Sequence, residues 1–206
     1  MANIVFDFGG VLFRWHPPSF LARVWHERVP DLEAGQAVAA QFFENYRGDW
    51  GAFDQGLIDE STAIDRIAVR TGWPREDVQQ VVDSIPEELQ LQAGTVSLIE
   101  DLKKAGHRLF FLSNMPEPLA DHLEQLHPLN DWFECGVFSG RVKHSKPRAA
   151  VFELAVARFG VPAASLLLLD DHPENIEAAK ACGWQAELFT DAAAARAALR
   201  ARGLLL

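Results

Sequence analysis

Asn3-Ile4-Val5-Phe6-Asp7-Phe8-Gly9-Gly10-Val11-Leu12 is the stretch on which the reading of this chain turns. Between Ile4 and Phe8 only Asp7 is polar, and the run is β-branched and aromatic until a glycine pair cuts it off. Such a run reads as a short strand buried on both faces, the kind found inside a parallel sheet. Gly9 and Gly10 allow a sharp turn and a close approach of backbone to a ligand. An ionised carboxylate here is costly unless it is paired or metal-bound. At the end of the strand it faces the crevice in which open α/β sheets bind ligands. Taken alone, Asp7 could equally cap a turn, so the neighbouring segments have to decide.

Similar runs recur downstream. Residues 107–113, with Leu109-Phe110-Phe111-Leu112, predict a second buried strand ending on Ser113-Asn114, and 165–169 a third that closes on Asp170-Asp171. Residues 133–138 and 184–189 read as weaker strands. Between these, helical spacing covers 95–105, 116–126, 149–159 and 173–182, and Asp191 caps an alanine-rich terminal helix. Strands alternating with helices of this length predict an α/β fold, a doubly wound, Rossmann-like parallel sheet covered on both faces. From Ser19 to Ile85 no strand is evident. Four helices are expected there, opened by Ser19, Asp31, Asp59 and Pro74. The expected organisation is a core built from 1–14 and 86–206, interrupted by an all-helical cap over 15–85.

At 206 residues the chain can hold one good core with a modest insertion. Its 49% hydrophobic and 23% charged content is that of an ordinary globular protein. A formal charge of −10 argues against a nucleic-acid partner, although local cations and a metal can still create a site for a small phosphorylated substrate. Cys135 and Cys182 suggest neither a disulfide framework nor a zinc site. No apolar run approaches the roughly 18 residues of a membrane span. The first strand begins too early for a signal segment, so a cytoplasmic protein without a membrane partner is expected, as monomer or homodimer.

Each strong strand thus ends on chemistry, and in a parallel sheet those ends share one edge. Lys146, ahead of Pro147 at the mouth of a helix, can reach the same edge. Carboxylates, a lysine and a hydroxyl are what metal-assisted phosphoryl transfer uses: oxygen ligands for a hard cation such as Mg²⁺, a nucleophilic carboxylate, and donors for the phosphoryl oxygens. Each has a plainer reading by itself. Ser113-Asn114 before Pro116 could be a turn, Lys146 a solvated lysine, Asp170-Asp171 a helix cap. Their order and placement at successive strand ends favour a site.

With these motifs in view, the chain resembles the haloacid dehalogenase-like hydrolases, in the subfamily whose helical cap lies between the first and second motifs (IA-like, with a C1 cap). The resemblance rests on Phe6-Asp7-Phe8-Gly9-Gly10-Val11-Leu12, on Phe111-Leu112-Ser113-Asn114, on Ser145-Lys146-Pro147 leading into Val151-Phe152, and on Leu169-Asp170-Asp171 with Asn175. Phe53-Asp54-Gln55-Gly56-Leu57-Ile58 is also similar to a cap segment of phosphatase-like members. The resemblance implies Asp7 as nucleophile and Mg²⁺ ligand, with Asp171 and the carbonyl of Gly9 as further ligands. It implies Ser113, Asn114 and Lys146 on the phosphoryl oxygens, and Asp170 and Asn175 in support. The implied activity is a Mg²⁺-dependent phosphatase acting on a small phosphorylated metabolite, such as a sugar phosphate, through an aspartyl-phosphate.

One position departs from that pattern. Most phosphatases resembling this chain carry a second Asp two residues after the nucleophile, as acid toward the leaving group and base toward water; here it is Gly9. General acid–base help is worth about 10²–10⁴-fold. His16 on the connector is a candidate substitute, and Gly9→Asp is expected to raise the rate on poor leaving groups if geometry permits. The alternatives are a 2-haloacid dehalogenase that uses Asp7 without metal, and a catalytically weak binding protein. Trp15, Trp25, Trp50 and Trp73 are expected mainly to build the core of the small helical unit.

Overall fold

In the computed structural model, which describes residues 1–205, five parallel strands form one sheet in the order β3-β2-β1-β4-β5. They are β1 (Asn3–Phe6), β2 (Arg108–Ser113), β3 (Cys135–Phe138), β4 (Leu166–Asp170) and β5 (Gln185–Leu188). The helices of the sheet half are α7 (Ala93–Lys104), α8 (Glu117–Leu126), α9 (Leu129–Trp132), α10 (Ser139–Val142), α11 (Ala149–Phe159), α12 (Pro173–Ala181) and α13 (Ala192–Ala201). Between β1 and α7 the chain is helical: α1 (Pro17–Val24), α2 (Leu32–Phe43), α3 (Gly48–Asp54), α4 (Glu60–Thr71), α5 (Arg75–Asp83) and α6 (Ile85–Glu88). No helix among the described residues is long and apolar enough to cross a membrane.

The period of two along each strand sorts side chains onto two faces. Ile4, Phe6, Leu109, Phe111, Leu167 and Leu169 pack with Leu98, Leu102 and Leu123 on one side. Val5, Phe110, Leu112, Leu166 and Leu168 pack with Phe152 and Phe159 of α11 and Ile176 of α12 on the other. Burying one such side chain stabilises by about 1.5–3 kcal/mol. The first face runs without a break through Phe8, Val11 and Phe13 into Phe42, Phe43, Trp50 and Phe53 of the helical insertion.

The helices of the insertion follow from local signals. Asp59 caps α4 by accepting from Thr62 N at 2.8 Å, and Gly72 ends it in the left-handed conformation with φ 71°. Glu76 and Asp77 sit in the first turn of α5, where the helix dipole favours acids. Two expectations need revision here. His16, not Ser19, caps α1: its Nδ1 accepts from Ser19 N and lies 2.7 Å from Ser19 Oγ. And α3, in a stretch without evident periodicity, is a helix, because Trp50 and Phe53 find buried places against α2.

The two chain crossings between sheet and insertion lie side by side. Arg14 N donates to Gln90 O at 2.8 Å and Gln92 N to Leu12 O at 2.9 Å. Arg14 and Arg23 both reach one oxygen of buried Glu88, the former at 3.0 Å. The tryptophans divide: Trp25 and Trp73 meet edge to face at 5.0 Å inside the insertion, whereas Trp15 and Trp50 face the cavity described below.

Candidate active site

Sheet register decides which side chains meet. Phe6 is level with Phe111 on one neighbour and Leu169 on the other, so Asp7, Ser113 and Asp170 leave the sheet along a common edge. Asp7 N donates to Leu169 O at 3.0 Å, extending that pairing by one residue. The chain then folds back at once: Phe8 O accepts from Leu12 N at 2.9 Å and Phe13 N at 2.8 Å, and Gly10 N donates to Phe13 O at 2.9 Å. Gly10 has φ 74°, and a Cβ there would drive into the Asp171 carboxylate. We expect Gly10→Ala to cost about 1–2 kcal/mol in backbone conformation alone. Thermal melts of Gly10→Ala beside the parent measure this, and an unchanged melting point would show that the close approach to Asp171 carries no strain.

Lys146 is the hub of the edge. Its ammonium lies 2.9 Å from Asp7 Oδ1 and 2.6 Å from Asp170 Oδ2, with all three side chains buried. Asp7 Oδ1 also accepts from Phe8 N at 2.7 Å. The second oxygen of Asp170 takes His172 N and Asn175 Nδ2, both at 2.9 Å, so this carboxylate is fully committed. Asn114 bonds to the backbone of Lys146 at both ends, Nδ2 to its carbonyl at 2.9 Å and Oδ1 from its N–H at 2.8 Å. That pair fixes where the lysine enters the site.

Three carboxylates thus surround one ammonium, and the charges respond. Burial pushes the Asp7 carboxyl well up from its ordinary range; Lys146 opposes this, while Asp170 and Asp171 add to it. Burial, reinforced by Asp170, also raises Asp171. Burial disfavours the charge on Lys146 too, but Asp170 and Asp7 outweigh it and its pKa rises. Asp170 is held below the usual carboxylate range because Lys146 and its hydrogen bonds overcome its burial.

The donor set fits a hard divalent cation. Asp7, Asp170 and Asp171 each offer an oxygen within 4.8 Å of the others. With Asp170 committed, Asp7 and Asp171 are the carboxylates available, and Asp171 Oδ1 is buried without a hydrogen-bond partner. Ser113 Oγ, at the end of β2, is likewise buried and unpartnered. Oxygen ligands of this kind suit Mg²⁺.

A cavity opens above this edge between sheet and insertion. Its floor includes Asp7, Gly9, Asn114, Lys146 and Asn175; Trp15, Trp50, Ile85, Leu89, Met115 and Leu119 form apolar walls. Asp54, Tyr46 and His172 face it as well, and Arg47 meets Glu174 across it at 3.3 Å.

A family model described as haloacid dehalogenase-like hydrolase matches residues 1–183. The chain belongs to the haloacid dehalogenase-like hydrolase family. Among its relatives is the sesquiterpene phosphatase astK of Aspergillus oryzae, 26% identical over 95% of this chain and 93% of that protein. A family enzyme from Bacteroides thetaiotaomicron, solved with magnesium and inorganic phosphate, shares the fold at a TM-score of 0.71 and 19% identity, over 91% of this chain and 93% of its own. An L-2-haloacid dehalogenase from Xanthobacter autotrophicus does so at 0.66 and 18%, over 100% of this chain and 85% of that one.

For a haloacid dehalogenase-like hydrolase, this chain's site differs from its sequence expectation in several respects. Asp7, Lys146, Asp170, Asp171 and Asn175 lie together, and Ser113 ends the neighbouring strand on the same sheet edge. Asn114 is among them: its side chain bonds to the Lys146 backbone, and the residue also lines the cavity. His16 is not brought in: it is exposed, bound to Ser19 as a helix cap, and lies outside the residues that line the cavity. Trp15 packs against Gly9, with its Cδ1, Cβ and Cγ 3.5–3.6 Å from where a Cβ would stand, an ordinary van der Waals contact. Trp15 is in turn held by a 2.9 Å bond from its Nε1 to Tyr46 Oη. A side chain at position 9 would thus pack against the indole at ordinary contact distance, and the rate gain expected from Gly9→Asp on poor leaving groups is read from steady-state kinetics.

Proposed function

We propose that this chain is a Mg²⁺-dependent phosphatase whose substrate is the monophosphate of an apolar alcohol. The observation that carries the reading is the Asp7–Lys146–Asp170 triad, with an unpartnered Asp171 oxygen close by, whose Asp7 and Lys146 line a cavity walled largely by apolar side chains. Asp7 is the nucleophile: its carboxylate attacks phosphorus and carries the phosphoryl group as an aspartyl-phosphate until water removes it. Lys146 neutralises charge on the transferring group, and Ser113 Oγ donates to one of its oxygens. Asp7, Asp171 and the Gly9 carbonyl would hold Mg²⁺, which when bound supplies positive charge to the phosphoryl oxygens. Asp170, Asn175 and Asn114 keep the lysine in place.

The cavity walls bear on the leaving group. Beyond the phosphate end, Trp15, Trp50, Ile85, Leu89, Met115 and Leu119 supply apolar surface, and Asn45, Tyr46, Asp54, His172 and the Arg47–Glu174 pair are the polar side chains among them. An alkyl or prenyl chain would bury its surface there. The similarity to a sesquiterpene phosphatase supports the same choice.

Phosphate release from farnesyl monophosphate, glucose 1-phosphate and glucose 6-phosphate, with Mg²⁺ or EDTA, tests this reading beside halide release from 2-chloropropionate. The expected result is Mg²⁺-dependent hydrolysis with kcat/KM at least about tenfold higher for the prenyl ester. A preference for the sugar esters would overturn the apolar leaving group. Metal-independent halide release would replace the phosphatase with a dehalogenase.

A further inference from the structure

Gly9 leaves the reaction without the usual proton donor, yet an alkoxide of an aliphatic alcohol is a poor leaving group and needs one. Glycine has no proton to give, so the group must come from another residue that lines the cavity. We propose that Asp54, at the end of cap helix α3, is the general acid and base of this reaction. The inference rests on the phosphatase reading and adds to it a catalytic residue from the cap.

Geometry carries the assignment. Asp54 faces the same cavity as Asp7 and is only 5% exposed. Its segment is docked on the sheet half: the Asp54 carbonyl accepts from Ser139 Oγ, which itself accepts from Met115 N at 2.8 Å, and Lys143 Nζ donates to Gly56 O at 2.7 Å. These bonds hold the end of α3 on the sheet half, with the Asp54 side chain on the cavity that Asp7 also lines. Among the described residues no cation pairs with it. Arg66 turns to Asp49, Arg70 to Glu44 and Asp49, Arg141 to Asp121 and Glu124, and Lys143 to backbone carbonyls.

An acid that must also act as base works best with a pKa near the working pH. Burial raises the Asp54 carboxyl to about 8, with a hydrogen bond from Trp50 as the opposing influence. Asp54 therefore enters the cycle protonated. Tyr46, half-buried on the same cavity, is pushed upward by desolvation and further by Asp54, Asp171 and Asp7, despite its bond to Trp15, so it holds its proton too firmly to exchange it. Asp7, Asp171, Lys146, Arg47, His172 and Glu174 are the charged or titratable groups around the same space.

The step balances. As Asp7 forms its bond to phosphorus, the bond from phosphorus to the ester oxygen breaks, and the Asp54 proton passes to that oxygen to give the free alcohol. The Asp54 carboxylate then takes a proton from water as the water oxygen bonds to phosphorus. The Asp7–phosphorus bond breaks, inorganic phosphate leaves, and Asp54 is protonated again.

The test is Asp54→Asn, a neutral isostere of the protonated acid, assayed in single turnovers on decyl phosphate and on p-nitrophenyl phosphate. Alcohol release from the alkyl ester should fall about 100-fold. First-turnover release of p-nitrophenolate, which needs no proton, should stay within about fivefold of the parent. Equal loss on both esters, no loss on either, or the same leaving-group-dependent loss in His172→Gln in its place overturns the assignment. If Asp54→Asn fails to fold, the parent enzyme decides: its alkyl-to-aryl rate ratio should drop as pH rises through about 8, and a flat ratio refutes the proposal. A parent that hydrolyses neither ester marks failure of the phosphatase reading instead.

Discussion

Asp7→Asn is expected to keep the fold and to lose phosphate release by about 10⁴-fold or more, since the amide cannot attack phosphorus and nothing else along the edge replaces it. Its stability should move in the other direction. The Asp7 carboxyl is raised by burial and by Asp170 and Asp171, more than Lys146 lowers it. A carboxyl raised in the folded state favours folding while protonated, and that contribution is lost as pH rises through its folded pKa. In EDTA at neutral pH, Asp7→Asn should therefore melt higher than the parent, with the gap closing toward pH 4 and shrinking when Mg²⁺ is added. Thermal melts across pH with and without Mg²⁺ measure this. Full activity in Asp7→Asn would end its assignment as nucleophile; a lower melting point in EDTA would show that the pairing with Lys146 outweighs the repulsion.

Lys146→Met should be the most destabilising single change at the site. The lysine side chain is 1% exposed and stands between two buried carboxylates. Removing it leaves Asp170 buried without a cation, a loss of about 3–5 kcal/mol, or a melting point lower by about 10 °C in a chain of this size. Activity should fall by about 10²–10³-fold, the scale for losing one preorganised stabiliser of transition-state charge. Adding Asp170→Asn should recover part of the stability and little of the activity, so a thermal-unfolding double-mutant cycle has a predicted sign. Depressed Asp170 stabilises above its unfolded pKa, and elevated Lys146 stabilises below its own. The pair's contribution should thus be level between about pH 4 and pH 10 and fade outside that window. Additive effects in the double variant would mean that the two groups do not act as a pair.

Much of this arrangement was legible along the chain. The run from Asn3 to Leu12 announces a buried strand and a turn, and the downstream apolar runs announce its neighbours, because side-chain period and glycine conformation are local properties. Asp7, Ser113, Asp170 and Asp171 were identifiable because each terminates such a run. Lys146 was legible from its order among them. Asp54 stood in a quoted segment, but α3 has no clear periodicity there and nothing local says that its carboxyl is buried. The tie between Asn114 and the Lys146 backbone joins residues 32 positions apart, and His16 spends its imidazole on Ser19 through a bond that forms only once α1 does.

The order of amino acids was enough to say that this is a parallel α/β chain with a helical insertion, and which chemically active residues stand at the strand ends. Only the packed molecule decided which of them have spare valence. Asp170 is saturated while Asp171 and Ser113 keep free oxygens, Trp15 packs against Gly9, and apolar side chains supply much of the wall above the edge. Periodicity and turn chemistry act between residues a few positions apart and are written in the sequence. Partnering and burial arise between residues tens to more than a hundred positions apart and exist only after the chain has folded.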